Sequence, residues 1–140
     1  MDALDVAEYI LEKASEMPAM KLQKLVFYCQ AWSLVWDDRA LFSNRIEAWA
    51  NGPVCIDLYS AHRQQYIVKN VQGIPSNLDS TAINTIDSVL QFYGDKTSQW
   101  LSDLTHSEAP WQDARRGLLP GQRGTEEIKH SEMVEYYGSL

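Results

Sequence analysis

The first sixteen residues alternate between acidic and apolar positions with the period of an α-helix. At about 100° per residue, the acidic side chains fall on one arc of roughly 120°, opposite an apolar face. The acidic residues are Asp2, Asp5, Glu8, Glu12 and Glu16. The pattern predicts an amphipathic helix, and such a charged face is usually only solvated. It would also suit a cationic partner, so Asp5, Glu8 and Glu12 are candidate partner-binding residues.

The segment at residues 21–36, "KLQKLVFYCQAWSLVW", is apolar on nearly every side. It follows Pro18, which can begin a helix because its missing N–H costs little there. A helix that is apolar all round is buried all round, so we predict a central buried helix. Gln23 and Gln30 would then need hydrogen-bond partners or solvent. The same pattern assigns Trp32 and Trp36 to the core.

The middle of the chain has the period of strands. Apolar and other side chains alternate over residues 46–50, which predicts a short strand. The strand ends at the Gly-Pro corner of residues 51–53, a strong break in any regular element. A short helix at residues 56–64 and a second short strand at residues 65–71 are predicted to follow.

The second half of the chain is predicted to be helical. One helix begins after Asp79 or Ser80 as its cap and runs through Tyr93, where Gly94 ends it. The apolar residues of the next helix are Trp100, Leu101 and Leu104.

Two further helices close the chain. Thr105 and Glu108 have the spacing of a capping box, which would begin a helix that carries Trp111. Ser131 is predicted to cap the last helix. The whole pattern predicts one compact, mainly α domain over residues 1–140, with a small two- or three-stranded β element.

Composition narrows the classes of function. The chain has 140 residues, 45 % hydrophobic and 22 % charged, which suits one globular domain. The net charge of -7 argues against nucleic-acid binding, which needs a basic surface. No apolar run reaches the ~18 residues that span a membrane, and the acidic start is unlike a secretory signal. With two cysteines, the chain is expected in the cytoplasm with reduced thiols.

Candidate catalytic groups are few. His106 and Glu108 match the H-x-E element of zinc deaminases, but the P-C-x-x-C segment that those enzymes need is missing. Cys55 follows the Gly-Pro corner and could be an exposed thiol, although the adjacent Asp57 is negative. A small metal- or thiol-dependent hydrolase that uses these residues therefore stays an alternative. We expect no catalytic site, metal or cofactor.

The tryptophans and tyrosines favour a binding surface. Trp49 alternates with Ala48 and Ala50, so its ring points away from theirs. Tryptophan is enriched at binding hot spots, but it is also a common core residue, so packing on the outer side of the strand is the alternative. The candidate partner-binding residues at this corner are Trp49, Asn51, Gly52 and Pro53.

Four segments together resemble the Panacea domain family, the SocA-like antitoxins. They are "KLQKL" at 21–25, "EAW" at 47–49, "GPV" at 52–54 and "LTHSEAPW" at 104–111. Within them, the positions taken as structural motif residues are Gln23, Glu47, His106, Glu108 and Trp111. The chain departs from the family pattern at Asn51, where an aromatic residue or histidine is common, and at Cys55-Ile56, where a proline commonly stands.

The resemblance implies a mostly helical domain that binds a protein and has no enzymatic activity. Family members neutralise a cognate toxin by contact, and at least one delivers its toxin to a bacterial AAA+ protease as an adaptor. The expected partners are therefore a toxin and, in the adaptor case, such a protease. A regulator of a protease or of transcription is the remaining alternative.

Overall fold

The structure is a computed structural model that describes residues 1–140. It contains seven α-helices, four short strands and one 3₁₀ turn. In chain order the elements are α1 (Ala3–Ala14), β1 (Met17–Pro18), α2 (Ala19–Trp36), β2 (Ile46–Trp49), β3 (Gly52–Cys55), α3 (Ile56–His62), β4 (Ile67–Val68), the 3₁₀ turn (Pro75–Asn77), α4 (Ser80–Tyr93), α5 (Ser98–His106), α6 (Ala109–Ala114) and α7 (His130–Tyr137). The mainly α prediction is confirmed.

Helix α2 is the centre of the fold, as its all-round apolar pattern predicted. Residues 22–31 are buried without interruption, and α2 contacts α1, α4, α5, α7 and β3. Pro18 is the cap residue immediately before the helix. The core assignment of Trp36 is wrong, because this last residue of α2 is 51 % exposed and stacks on Trp32 at 5.0 Å between ring centroids.

Four short strands, of which only β2 and β4 were predicted, form two small antiparallel pairs. β2 and β3 make a hairpin with a two-residue turn, in which Trp49 is opposite Gly52. The other edge of β2 is covered by residues 126–128, since Ala48 N–H donates to the Glu126 carbonyl and Ile128 N–H donates to the Ile46 carbonyl, both at 2.9 Å. The second pair joins β1 to β4. β1 was not predicted, because Met17-Pro18 looked only like a helix break.

Helix α1 forms as predicted, but the middle of its acidic face, at Asp5 and Glu8, is not a free surface. Asp5 is buried and accepts hydrogen bonds from Ile74 N–H at 2.9 Å and from the Asn77 amide at 3.3 Å. Glu8 accepts a bond from Val71 N–H at 2.8 Å. The docking surface predicted from Asp5 and Glu8 is therefore wrong, because the loop before α4 covers this face. Glu12 stays exposed.

Of the predicted helix caps, the one at Asp79 is confirmed and those at Glu108 and Ser131 are wrong. Asp79 caps α4 through Ala82 N–H at 2.8 Å, and Gly94 ends that helix. The predicted capping box at Glu108 is wrong: Glu108 precedes α6 but makes no cap bond, since its carboxylate lies in the core. Ser131 is already inside α7, which follows Lys129.

Candidate partner-binding site

An open cleft lies beside the β2–β3 hairpin. It has a volume of about 600 Å³, and half of its ten lining residues are hydrophobic. We call it the Trp49 cleft; it is lined by Met20, Gln23, Trp49, Ala50, Asn51, Val54, Tyr59, Gly121, Arg123 and Gly124. The sequence pointed to Trp49 and Asn51. It did not point to Tyr59, on the helix that follows the hairpin, or to the 121–124 loop, which is distant in the sequence.

Trp49 is half-buried at the edge of this cleft. Its indole N–H donates to a carboxylate oxygen of Glu47 at 2.9 Å, and the other oxygen of Glu47 accepts from Arg45 at 2.9 Å. The ring also packs edge-on against Tyr59, with centroids 4.9 Å apart. Glu47 therefore orients the ring, which is neither a core side chain nor freely mobile.

The hairpin is fixed from behind by α6. The indole N–H of Trp111 donates to the Trp49 carbonyl at 2.8 Å, and the buried Arg115 donates to the Ala48 carbonyl at 3.0 Å. The Trp111 ring has His106 stacked on it at 4.2 Å and the Arg115 guanidinium at 5.3 Å from its centroid. Trp111 was taken as a motif residue, whereas no role was predicted for Arg115.

The turn itself is held by a glycine and a proline. Gly52 has a φ of +131°, a conformation that other residues rarely adopt. Gly52 and Pro53 are buried and Asn51 is exposed at the tip. Of the corner residues predicted to face a partner, only Trp49 and Asn51 reach the cleft, while Gly52 and Pro53 act as its support.

Gln23 connects the hairpin to the central helix. Its amide oxygen accepts from Cys55 N–H at 2.8 Å, and its amide nitrogen lies 2.9 Å from Nε2 of His62. Since the amide nitrogen is a donor, Nε2 of His62 must accept, which keeps the imidazole neutral. Burial likewise lowers the pKa of His62. This confirms that Gln23 needs a partner inside the fold.

Sequence comparison identifies the family. A family model described as "Antitoxin SocA-like, Panacea domain" matches residues 22–112, which include most of α2, the hairpin and most of α6. The chain belongs to this SocA-like Panacea family. No curated protein and no solved structure matches the chain. Membership supports an antitoxin role. None of the helices is long and apolar enough to cross a membrane.

In this Panacea domain, Glu108 is a core residue. The hydroxyls of Tyr28 and Tyr137 both donate to its Oε1, at 2.6 and 2.8 Å. Burial raises the pKa of Glu108, and the two tyrosine bonds act in the opposite direction. The side chain therefore joins α2, α6 and α7 by hydrogen bonds, a structural role of a different kind from the predicted cap.

The residues of the hydrolase alternative do not converge. His106 stacks on Trp111 beside the hairpin, while Glu108 is bonded to the two core tyrosines. No three His, Cys, Asp or Glu side chains are grouped as a metal site would require. The predicted exposure of Cys55 is wrong: it is buried in β3, and burial raises the pKa of its thiol to about 11. A buried thiol of high pKa is a poor nucleophile.

Proposed function

We propose that this Panacea domain is an antitoxin that neutralises a cognate protein toxin by direct binding. Family membership supports the antitoxin role. The structural observation that carries the binding mode is the Trp49 cleft, an open aromatic cleft on a hairpin that the core holds rigid. A rigid surface loses little conformational entropy on binding, which favours affinity. The proposal places both proteins in the cytoplasm, where Cys29 and Cys55 would stay reduced.

Trp49 is the proposed anchor of the interface. Large aromatic side chains in the centre of an interface carry much of the binding energy. Here the ring is already oriented by Glu47 and Tyr59, so little side-chain freedom remains to be lost when a partner covers it. Asn51 at the tip of the turn is the neighbouring exposed position. The Asn51→Tyr variant should change which toxin is bound and leave the fold unchanged.

Co-expression tests the function. The gene product encoded next to this chain would be produced with and without it, and growth would be followed. We expect arrest without this chain and growth with it. Growth arrest that persists with abundant soluble antitoxin would contradict the proposal.

Trp49→Ala tests the surface. Loss of a hot-spot tryptophan costs about 2 kcal/mol or more of binding free energy, whereas loss of a core tryptophan costs about 3–5 kcal/mol of folding stability. We expect weaker toxin binding in a titration and a nearly unchanged unfolding midpoint. Trp100→Ala is the matched control, because Trp100 is 42 % exposed on α5 and does not line the cleft. A large fall in the unfolding midpoint would make Trp49 a structural residue instead.

Delivery to a AAA+ protease would be an addition to binding. It predicts that the toxin's half-life in cells shortens when this chain is present, and lengthens again when the protease is removed. Neutralisation with an unchanged toxin half-life would assign the activity to binding alone.

A further inference from the structure

A second open pocket continues the Trp49 cleft on the side of α3. Its volume is about 330 Å³, and Tyr66 lies at its far end. Met20 and Tyr59 line both this pocket and the Trp49 cleft, so the two hollows are contiguous. We call the two together the extended groove; it runs from Asn51 past Tyr59 to Tyr66. Its length suits a segment of a partner chain better than a single side chain.

The extended groove differs in charge from the rest of the protein. The chain has 19 Asp and Glu residues and a net charge of -7, yet no acidic residue lines either pocket. The charged residues of the lining are Arg63 and Arg123, while His62 is held neutral by burial. Glu47 lies beside the groove, but Arg45 pairs with it at 2.9 Å. The groove is therefore a positive strip on an acidic protein.

The two arginines of the groove have no partner inside the fold. The chain has six arginines, and four of them are bonded to a carboxylate or to backbone carbonyls, namely Arg39, Arg45, Arg115 and Arg116. Arg63 and Arg123 make neither an ion pair nor a side-chain hydrogen bond, and both are exposed. A guanidinium presents a planar fork of donors that matches a carboxylate. The two unbonded forks of this chain thus both face the groove.

The backbone holds both arginines in place. Arg123 follows Gln122, whose carbonyl accepts a hydrogen bond from the buried Arg115 at 2.6 Å. The N–H of Arg63 donates to the Tyr59 carbonyl at 2.8 Å at the end of α3. Only the side chains have to be ordered when a partner binds, which limits the entropy that binding costs.

Aromatic rings lie along the same groove. Trp49 and Tyr59 pack edge-on in the first pocket, and Tyr66 is 80 % exposed in the second. The Tyr66 backbone is fixed, because its carbonyl accepts from Ala19 N–H at 2.9 Å. Tryptophan, tyrosine and arginine are the residues most enriched at binding hot spots. The groove therefore offers apolar contact and positive charge together.

We propose that the extended groove binds an acidic, extended segment of the toxin. Its carboxylates would pair with Arg63 and Arg123, one in each pocket, and its apolar side chains would pack on Trp49 and Tyr59. This inference rests on the proposed function and names the chemistry of the toxin segment. A nucleic acid would also offer negative charge, but the net charge of -7 repels a phosphate backbone. The partner is thus acidic at this contact, in contrast to the cationic partner that the α1 sequence favoured.

Replacing the two arginines by glutamine tests the proposal. Arg63→Gln and Arg123→Gln should each weaken binding of the purified product of the neighbouring gene by about tenfold, the scale of one hydrogen bond to a charged group, and the double variant by about a hundredfold. The urea midpoint should be unchanged, because neither side chain is bonded within the fold. The matched control is Arg116→Gln, which removes the same charge at an exposed position outside the groove. Its affinity should equal that of the wild type.

Carboxylate labelling gives a second readout on the partner itself. A water-soluble carbodiimide couples glycine ethyl ester to exposed Asp and Glu side chains, and mass spectrometry locates the labels. In the complex with the wild type, carboxylates within one segment of the gene product should be protected. The same segment should be labelled in the presence of an equal concentration of the double variant.

The outcomes separate this inference from the proposed function. If the double variant binds as tightly as the wild type, or Arg116→Gln loses as much affinity, the groove does not bind carboxylates and this inference is overturned while the antitoxin role stands. If the double variant loses affinity for a labelled single-stranded RNA and not for the gene product, the groove takes phosphate groups and the inference is likewise overturned. If the wild type does not bind the gene product at all, the proposed function itself fails, and this inference with it.

Discussion

Replacing Lys24 by methionine should make the protein more stable. The pKa of this lysine is lowered from 10.5 to about 8, a difference of about 2.5 units. Each unit corresponds to about 1.4 kcal/mol between the charged and neutral forms, so the buried charge costs about 3 kcal/mol at pH 7. With a urea m-value of about 1–3 kcal/mol/M, the midpoint of the variant should rise by about 1–3 M.

The pH dependence of this gain has a defined sign. Because the folded pKa is the lower one, the folded state binds fewer protons than the unfolded chain between pH 8 and 10.5. The penalty is therefore complete below pH 8 and is relieved as the pH rises through 8 toward 10.5. The stability difference between Lys24→Met and the wild type should shrink over that interval.

Urea unfolding followed by circular dichroism at pH 7 and pH 10 provides the assay. Lys21→Met is the control, since it loses a hydrogen bond to the Gly94 carbonyl of 2.7 Å and should not be stabilised. A Lys24→Met variant that is less stable than the wild type at pH 7 would refute the reasoning, because it would show that the ammonium is stabilised inside the folded protein.

Three further predictions concern the stability of the fold. Glu108→Ala leaves two buried tyrosine hydroxyls without their acceptor and should destabilise by about 3 kcal/mol in urea unfolding, and Glu108→Gln by less. Stability should fall as the pH drops below 6.5, because the folded state holds His62 neutral against Gln23; His62→Gln should reduce this slope in unfolding midpoints measured at pH 7.5 and 5.5. Gly73→Ala would place a Cβ 1.9 Å from the Leu4 carbonyl oxygen and should lower stability by about 2 kcal/mol, seen as a lower melting temperature.

The local sequence pattern predicted the helices and their ends well, but it did not predict which residues the helices contact. Helix α4 was predicted from its cap at Asp79 to its end at Gly94, because both signals lie within the helix's own sequence. The all-round apolar character of α2 likewise predicted its central place. Trp36 fits the same apolar pattern but is exposed. Periodicity shows on which face of a helix a residue lies, but it does not show where along the helix the packing of neighbouring elements ends.

The roles of polar side chains depended on residues far away in the sequence. The partners of Glu108 are 80 and 29 positions distant, so its apparent capping-box spacing was misleading. Asp5 was predicted to be at the surface, but the loop that contains Ile74, 69 residues later, covers it. The burial of Lys24 was not predicted, because a lysine in a helix normally extends its ammonium to water. The strand that carries Trp49 and the corner after it were predicted, whereas the pairing of that strand with β3 was not, and the cleft needed Tyr59 and the 121–124 loop.

A stoichiometric titration tests the central claim most directly. The purified product of the neighbouring gene would be assayed for its toxic activity while this chain is added in known molar ratios. If the chain neutralises by binding, activity should fall linearly and reach zero at a fixed small-integer ratio, and calorimetry should show binding that saturates at the same ratio. Full activity at a large molar excess would contradict the account. Complete loss at far below one molar equivalent would contradict it too, because that result would indicate catalysis.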